Sequence, residues 1–433
     1  MVTLVLFSVF LILLVLNYPI GVCMGIATFI VVYFVPGAPG GMALLTKSAV
    51  MGGNNFPLIA IPMFVLVGEI MQTGGLSRRI IASAARVVGS VKAGLAYVNV
   101  LASMIFAAIS GSSPATVAAI GSNMIPEMKK YGYDPTFSTA VTAASGTLGV
   151  MIPPSIPFII YGVTASESIG ALFLAGIVPG ILFALFYALL SRYLLRHQKN
   201  DRELTQGIKE EAPPIAGGIA NSSWWALLVP IIILGGIYGG IFTPTEAAGV
   251  TVAYALFVSL FIYKELKWSD MPDILTRTSV TSVCCLIMVV MASPFGKLLT
   301  IEQVPNQVAE FITSLSNDKW TVILLINLML LVVGMFMDTI AAIIILTPIL
   351  LPVMVGFGVN PVHFGVILTC NLAIGFCTPP LGINLFVASN ISEIPIARVI
   401  KAIFPFLLVM LLALALISYI PAISLYLPSV LNS

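Results

Sequence analysis

Charge is scarce in this chain: Asp, Glu, Lys and Arg make up 8% of its 433 residues, against about 25% in an ordinary globular protein. A soluble body of that size could not cover its surface with so few charges, so a soluble enzyme, a nucleic-acid binder and a disordered chain are all excluded. Histidine is nearly missing too, at two residues. With only His197 and His363, and no Cys/His cluster, a zinc site has no ligands to draw on. The five cysteines, Cys23, Cys284, Cys285, Cys370 and Cys377, all fall in apolar segments without a CxxC spacing. They read as small buried residues, not as a disulfide framework. The first apolar run lacks a basic flank and a small-residue cleavage site, so it reads as a retained span.

What is abundant is apolar sequence, 59% of the residues, in runs of the roughly 20 residues that cross a bilayer. The expected fold is an all-α polytopic membrane protein. Spans are marked at about 3–17, 19–35, 57–74, 136–165, 168–195, 223–241, 245–263, 278–299, 362–391 and 400–426. Two further stretches, 93–126 and 320–353, are broken midway by Gly and polar residues. They read as re-entrant hairpins, because non-helical backbone at membrane depth must be buried in protein or line a cavity. With ten spans, two hairpins and an outer N-terminus, all but Lys47, Lys297 and Lys319 of the 19 basic residues fall on the inner side. That satisfies the positive-inside rule; hairpins that crossed fully would scatter them. Residues 197–222 read as an inner linker. Residues 76–91 (LSRRIIASAARVVGSV) read as an interfacial helix with Leu76, Ile80, Ala84, Val87 and Val88 on one face, opposite the arginines. Residues 303–315 repeat that pattern on the outer side, with Val304, Val308, Phe311, Ile312 and Leu315.

A shift of 226 positions brings the two halves into register. Pro126 meets Pro352, Gly132 meets Gly358, Pro135 meets Pro361 and Gly149 meets Gly375. Pro153-Pro154 meets Pro379-Pro380, and Ser166-Glu167 meets Ser392-Glu393. The matches concentrate on residues that fix backbone shape. Five spans separate equivalent points, so the second copy is inverted. Inverted repeats with broken helices near the midplane are the signature of secondary transporters.

The chemistry is expected at the breaks. The hairpins turn at 109–116 and 334–339, and the spans after them are interrupted at 149–155 and 375–381. A Pro-Pro pair forces a helix to unwind, and the freed carbonyls must find partners. Hard cations take oxygen ligands, so the pattern predicts two Na⁺ sites, one per repeat. The first would use Ser110, Ser112, Gly149 and Ser155; the second Gly334, Asp338, Gly375 and Thr378. Helix kinks closed by Ser and Thr hydroxyls and buried water would explain the same residues without an ion. As an intramembrane carboxylate, Asp338 also keeps a proton-coupled reading open. Half-helix N-termini facing the cleft would attract an anion, with Ser113, Thr116, Pro154, Pro380 and Asn384 as candidate substrate contacts. Thr243-Pro244-Thr245-Glu246 reads as a plain helix start.

FTPTEAAGVT at 242–251, ISGSSPATVAAIGSNMIPEM at 109–128, GVMIPPSIPFIIYG at 149–162 and GMFMDTIAAIIILTPILLPV at 334–353 resemble the large membrane subunit of tripartite ATP-independent periplasmic (TRAP) transporters. The resemblance covers essentially the whole chain. It implies an elevator-type transporter similar to the divalent-anion/sodium symporters, importing an organic anion on a Na⁺ gradient across a bacterial inner membrane. It also implies a periplasmic substrate-binding protein and a small four-helix membrane subunit, expected as a separate polypeptide. Within the family the chain looks most like the sialic-acid branch, ahead of C4-dicarboxylates. The implied division is scaffold and inner arm at 1–92, transport halves at 93–167 and 320–391, and a span with the linker at 168–222. Scaffold with outer arm follows at 223–319 and a terminal span at 392–433. No organic cofactor, catalytic site or nucleic-acid partner is implied. The alternatives are a stand-alone divalent-anion symporter coupled to Na⁺ or H⁺, a channel, and a membrane-embedded enzyme.

Overall fold

The computed structural model describes residues 2–16, 18–36, 41–88, 93–196 and 223–431. The linker expected at 197–222 lies outside these residues, as does Lys92. Among the described residues all regular structure is helical, and eight helices are long and apolar enough to cross a membrane.

One group of helices packs around a single long helix, Met271–Ile301. It starts earlier than the span expected at 278–299 because Pro272 occupies its first turn, where a missing N–H costs nothing. At 31 residues it is about 46 Å long. Ile20–Phe34, Gly41–Gly53 and Ala60–Thr73 all lie against it. Gly41–Gly53 was not anticipated: its sequence, GMALLTKSAVMGG, carries a lysine and too few apolar residues to read as a span. Trp224–Tyr238 and Pro244–Phe257 complete the group. Thr243 and Glu246 form the expected capping box, with Glu246 Oε2 accepting from Thr243 N at 2.8 Å.

The arm helix Leu76–Val88 buries Leu76, Ile80 and Ala84, but it departs from the expected pattern at two positions. Val87 is exposed. Arg79 is on the buried face, where Nη1 donates to Glu265 Oε1 at 2.7 Å and to Gly75 O at 3.0 Å. Its guanidinium also lies 3.6 Å from the centre of the Tyr263 ring. An arginine so paired and stacked can be buried, which side-chain periodicity alone does not register. On the other arm, Val304–Leu315, Val304 and Ile312 are buried while Phe311 and Leu315 stay exposed.

The second group is built from the two repeats. Each supplies a hairpin, Gly94–Ser110 with Ser113–Lys130 and Lys319–Phe336 with Thr339–Gly356. Each hairpin is followed by a broken helix. The first runs Pro135–Gly146, Leu148–Met151 and, after the break, Ile156–Ala165; the second runs Pro361–Gly375 and Ile383–Ser392. The 226 shift holds through this geometry. Ser112 and Asp338 are both N-caps, Gly132 and Gly358 both have positive φ, and Asp134 and Asn360 both cap the helix that follows. Both Pro-Pro bonds are cis. Beyond them the register moves to 227, because Leu381 and Gly382 stand where the first repeat has Ser155 alone. The left-handed C-cap at Ser166 therefore corresponds to Glu393, not Ser392, which corrects the last pair of the sequence alignment.

The two hairpins point in opposite directions. Tyr161 Oη, near the end of the first broken helix, donates to Pro361 O at 2.7 Å, at the base of the second hairpin. Conversely, Lys129 Nζ at the base of the first hairpin donates to Ser392 O at 2.6 Å, at the end of the second broken helix. Each half-helix thus runs along the other repeat's hairpin. The terminal span expected at 400–426 is two helices, Ile396–Tyr419 and Ala422–Leu431, parted where Pro421 interrupts the ladder.

Candidate functional site

At the first hairpin tip, Gly111 takes a left-handed conformation (φ 60°), which only glycine adopts without strain. A Cβ there would also lie 2.9 Å from Pro154 O. Ile156 N donates to Gly111 O at 3.3 Å, so the tip is docked on the first break. Around that contact Ser110 Oγ and Thr116 Oγ1 are 2.9 Å apart, and Thr116 Oγ1 donates to Ser112 O at 2.8 Å. A Cβ on Gly149 would collide with Ser112 O and come 2.5 Å from Thr116 Oγ1. The helix bearing Gly149 can approach this cluster of oxygens only because it has no side chain there. Ser110, Ser112, Thr116 and Gly149 are brought together. Ser155 serves its own break: Oγ donates to Val150 O at 2.6 Å and accepts from Phe158 N as the cap of the next half-helix.

The second tip docks differently. Leu381 N donates to Met335 O at 3.3 Å, and a Cβ on Gly375 would collide with Gly334 O. Thr378 Oγ1 returns to Ile374 O at 2.8 Å, closing the unwound turn. Gly334 and Gly375 are thus together, with Thr378 close along the chain. Asp338 is placed elsewhere. Its Oδ2 accepts from Ile340 N at 3.0 Å as the helix cap, and it lines the central cavity.

Ser113 and Asn384, expected as substrate contacts, are fully buried and bonded to each other across the two repeats. Ser113 Oγ donates to Asn384 Oδ1 at 3.1 Å, and Asn384 Nδ2 lies 2.8 Å from Ser113 Oγ and 3.0 Å from Ala143 O. Of the remaining candidates, Thr116 and Pro154 sit at the first tip, whereas Pro380 is exposed.

The central cavity has a volume of about 350 Å³. Ser110 to Ala115 of the first tip and Asp338 to Ile340 of the second line it together, so tips entering from opposite ends meet in one space. Its far wall comes from the scaffold: Gly68, Glu69, Gln72, Thr281 and Cys285. Glu69 Oε2 is held by Arg277 Nε at 3.0 Å. Thr281 and Cys285 were not picked out from the sequence, although their i, i+4 spacing puts them on one helix face.

A family model described as "Tripartite ATP-independent periplasmic transporter, DctM component" matches residues 7–423. The chain is 42% identical over 430 residues to the isethionate TRAP transporter permease protein DctMQ of Oleidesulfovibrio alaskensis, covering 98% of this chain and 66% of that longer protein. It is 41% identical over 376 residues to the C4-dicarboxylate TRAP transporter large permease protein DctM of Pseudomonas aeruginosa, covering 87% of each. Against the sialic acid TRAP transporter large permease protein SiaM of Vibrio cholerae the identity is 36% over 395 residues, 90% of each. Among solved structures, the Alcanivorax borkumensis YdaH transporter superimposes with a TM-score of 0.53 at 16% identity, covering 95% of this chain and 97% of that one. That likeness concerns the fold.

Proposed function

The chain belongs to the DctM family of TRAP transporter large permeases, and from that premise we propose that it couples Na⁺ entry to import of a small organic anion at the central cavity. As a TRAP large permease it is a multi-pass inner-membrane transporter of organic anions that works with a substrate-binding protein, and not an enzyme. The observation that carries the coupled reading is the meeting of both hairpin tips in one cavity against a separate scaffold wall. The relative named for isethionate is 42% identical, those named for C4-dicarboxylates 36–41% and the one named for sialic acid 36%. The substrate class proposed is an organic carboxylate or sulfonate, and these similarities do not favour the sialic-acid branch expected from the sequence over the other two.

The donor chemistry suits a hard cation. Hydroxyl and carbonyl oxygens of Ser110, Ser112 and Thr116 converge against Gly149, and at the second break Gly334 O lies against Gly375. Hydroxyl and carbonyl oxygens are the ligands that hard cations take. Asp338 lines the same cavity as Ser110 and Ser112. The hairpins and broken helices, residues 93–167 and 320–391, move as a unit against the scaffold, which a small four-helix partner subunit extends.

The test is uptake of labelled isethionate, succinate and N-acetylneuraminate into liposomes holding this chain with its small partner, with and without a Na⁺ gradient and the binding protein. Saturable uptake that needs both supports the proposal. Uptake without the binding protein moves the chain to a stand-alone symporter. A proton gradient that fully replaces Na⁺ would leave Asp338 as the coupling group.

A further inference from the structure

A second cavity, of about 730 Å³, opens at the opposite end of the molecule from the Glu69–Arg277 pair. The positive-inside count places that end outside. One wall is the scaffold pair Gly41–Gly53 and Met271–Ile301; the other comes from the moving halves, through Thr164 after the first break and Pro348 in the second hairpin.

The scaffold pair is in very close contact where Gly52 meets Ser293, with a Cβ on Gly52 falling 2.5 Å from Ser293 Cβ, and where Gly53 meets Val290. The pairing is antiparallel: stepping back along the first helix is stepping forward along the second. Five residues back from Gly52 is Lys47, and four residues on from Ser293 is Lys297. A little over one turn from the contact point, the two lysines therefore stand level on facing helices, and both line this cavity. Among the described residues neither ammonium has an acidic or hydrogen-bonding partner. They are two of the three basic residues at this end of the molecule; the third, Lys319, donates to Gly358 O at 2.9 Å.

Two like charges at one level repel unless an anion lies between them. We propose that Lys47 and Lys297 form an outer oxyanion subsite that takes the carboxylate or sulfonate of the incoming substrate before it reaches the hairpin tips. This rests on the organic-anion reading above. Lysine is suited to such a post, since its mobile ammonium can hold an oxyanion and release it without the fixed fork of an arginine. Both lysines belong to the fixed wall and the other wall belongs to the moving halves, so the moving halves control access to the subsite and not its make-up. A phospholipid phosphate has the same chemistry as the substrate's anionic group, so the source must be separated by experiment.

The experiment compares wild type with the double variants Lys47→Gln/Lys297→Gln and Lys47→Arg/Lys297→Arg. Each is reconstituted with the small subunit and binding protein in phosphatidylcholine vesicles, with and without phosphatidylglycerol. The Gln pair should raise KM about tenfold with little change in kcat, and the Arg pair should stay near wild type. A second readout does not need transport. In detergent, succinate or isethionate at matched ionic strength should raise the unfolding temperature of wild type above its value in chloride, and should not do so for the Gln pair. An unchanged KM in the Gln pair overturns the proposal. So does an effect confined to vesicles with phosphatidylglycerol, which assigns the lysines to lipid phosphate. If wild type imports none of the three anions, the functional reading fails, and the detergent measurement still decides the subsite.

Discussion

The bond between Ser113 and Asn384 joins the two repeats, and its worth can be measured. Asn384 Nδ2 reaches Ser113 Oγ at 2.8 Å and Ala143 O at 3.0 Å in a site closed to solvent. Asn384→Ala would leave both of those oxygens short of a donor, at a cost of about 1–3 kcal/mol. The pairwise part is smaller. Interhelical hydrogen bonds in membrane proteins give coupling energies averaging about 0.6 and reaching about 1.7 kcal/mol, and this short, fully buried pair belongs toward the upper end. A double-mutant cycle of Asn384→Ala with Ser113→Ala, followed by SDS unfolding in mixed micelles, should therefore return about 1 kcal/mol of coupling. Asn384→Ala combined with Thr313→Ala on the exposed outer arm should be additive within about 0.5 kcal/mol. Coupling between Asn384 and Ser113 below about 0.3 kcal/mol would refute the claim that this bond ties the repeats together.

Gly149→Ala and Gly375→Ala should each push a hairpin tip off its break, since the added carbon meets Ser112 O or Gly334 O. Each should cost about 1–3 kcal/mol in thermal unfolding and raise the Na⁺ concentration for half-maximal uptake; a wild-type Na⁺ response in both would separate the tips from coupling. Arg79→Met strands Glu265 at the base of the inner arm. Because Glu265 keeps 38% of its side-chain exposure, the loss should be about 1–2 kcal/mol rather than that of a closed ion pair, checked by the unfolding temperature. The Thr321 amide and hydroxyl hold the Asp318 carboxyl below its ordinary pKa. A carboxylate depressed by folding stabilises the native state above its unfolded pKa and loses that contribution as pH falls through the folded one. Protection of the Thr321 amide from hydrogen exchange should accordingly fade below about pH 4 in wild type and be insensitive to pH in Asp318→Asn, where the amide oxygen keeps the cap.

The parts of this architecture legible in the sequence are those that proline and glycine dictate. Both hairpin turns, both Pro-Pro breaks and the repeat itself follow from residues whose backbone demands are local, and Gly149 and Gly375 were found by the same means. What escaped depends on partners distant in the chain. No local pattern says that Asn384 will bond to Ser113 across the repeats, or that Asp338 will line the cavity with the first tip. Arg79 was placed on the polar face because Glu265, 186 positions away, was out of view. The helix Gly41–Gly53 escaped for a different reason: at 13 residues it is too short for a span, and it packs chiefly on Met271–Ile301, far along the chain. The added residue at Leu381-Gly382 did leave a trace, as the register fails there, but aligned Ser-Glu pairs on the far side concealed it.

The Ser113–Asn384 bond also bears on how the molecule is made. Its partners are 271 residues apart in the chain, and ribosomes add about 5–20 residues each second, so Ser113 waits between about 14 and 54 seconds for Asn384 to be synthesised. For most of that interval, once Ala165 has been made, the first hairpin and its broken helix lack the half-helix Ile383–Ser392 that packs on them, and the Ala143 carbonyl lacks its donors Asn384 and Cys377. The first half cannot finish folding as it is inserted. It must be sheltered, by the insertion machinery or by its own neighbours, until the second half arrives to close it.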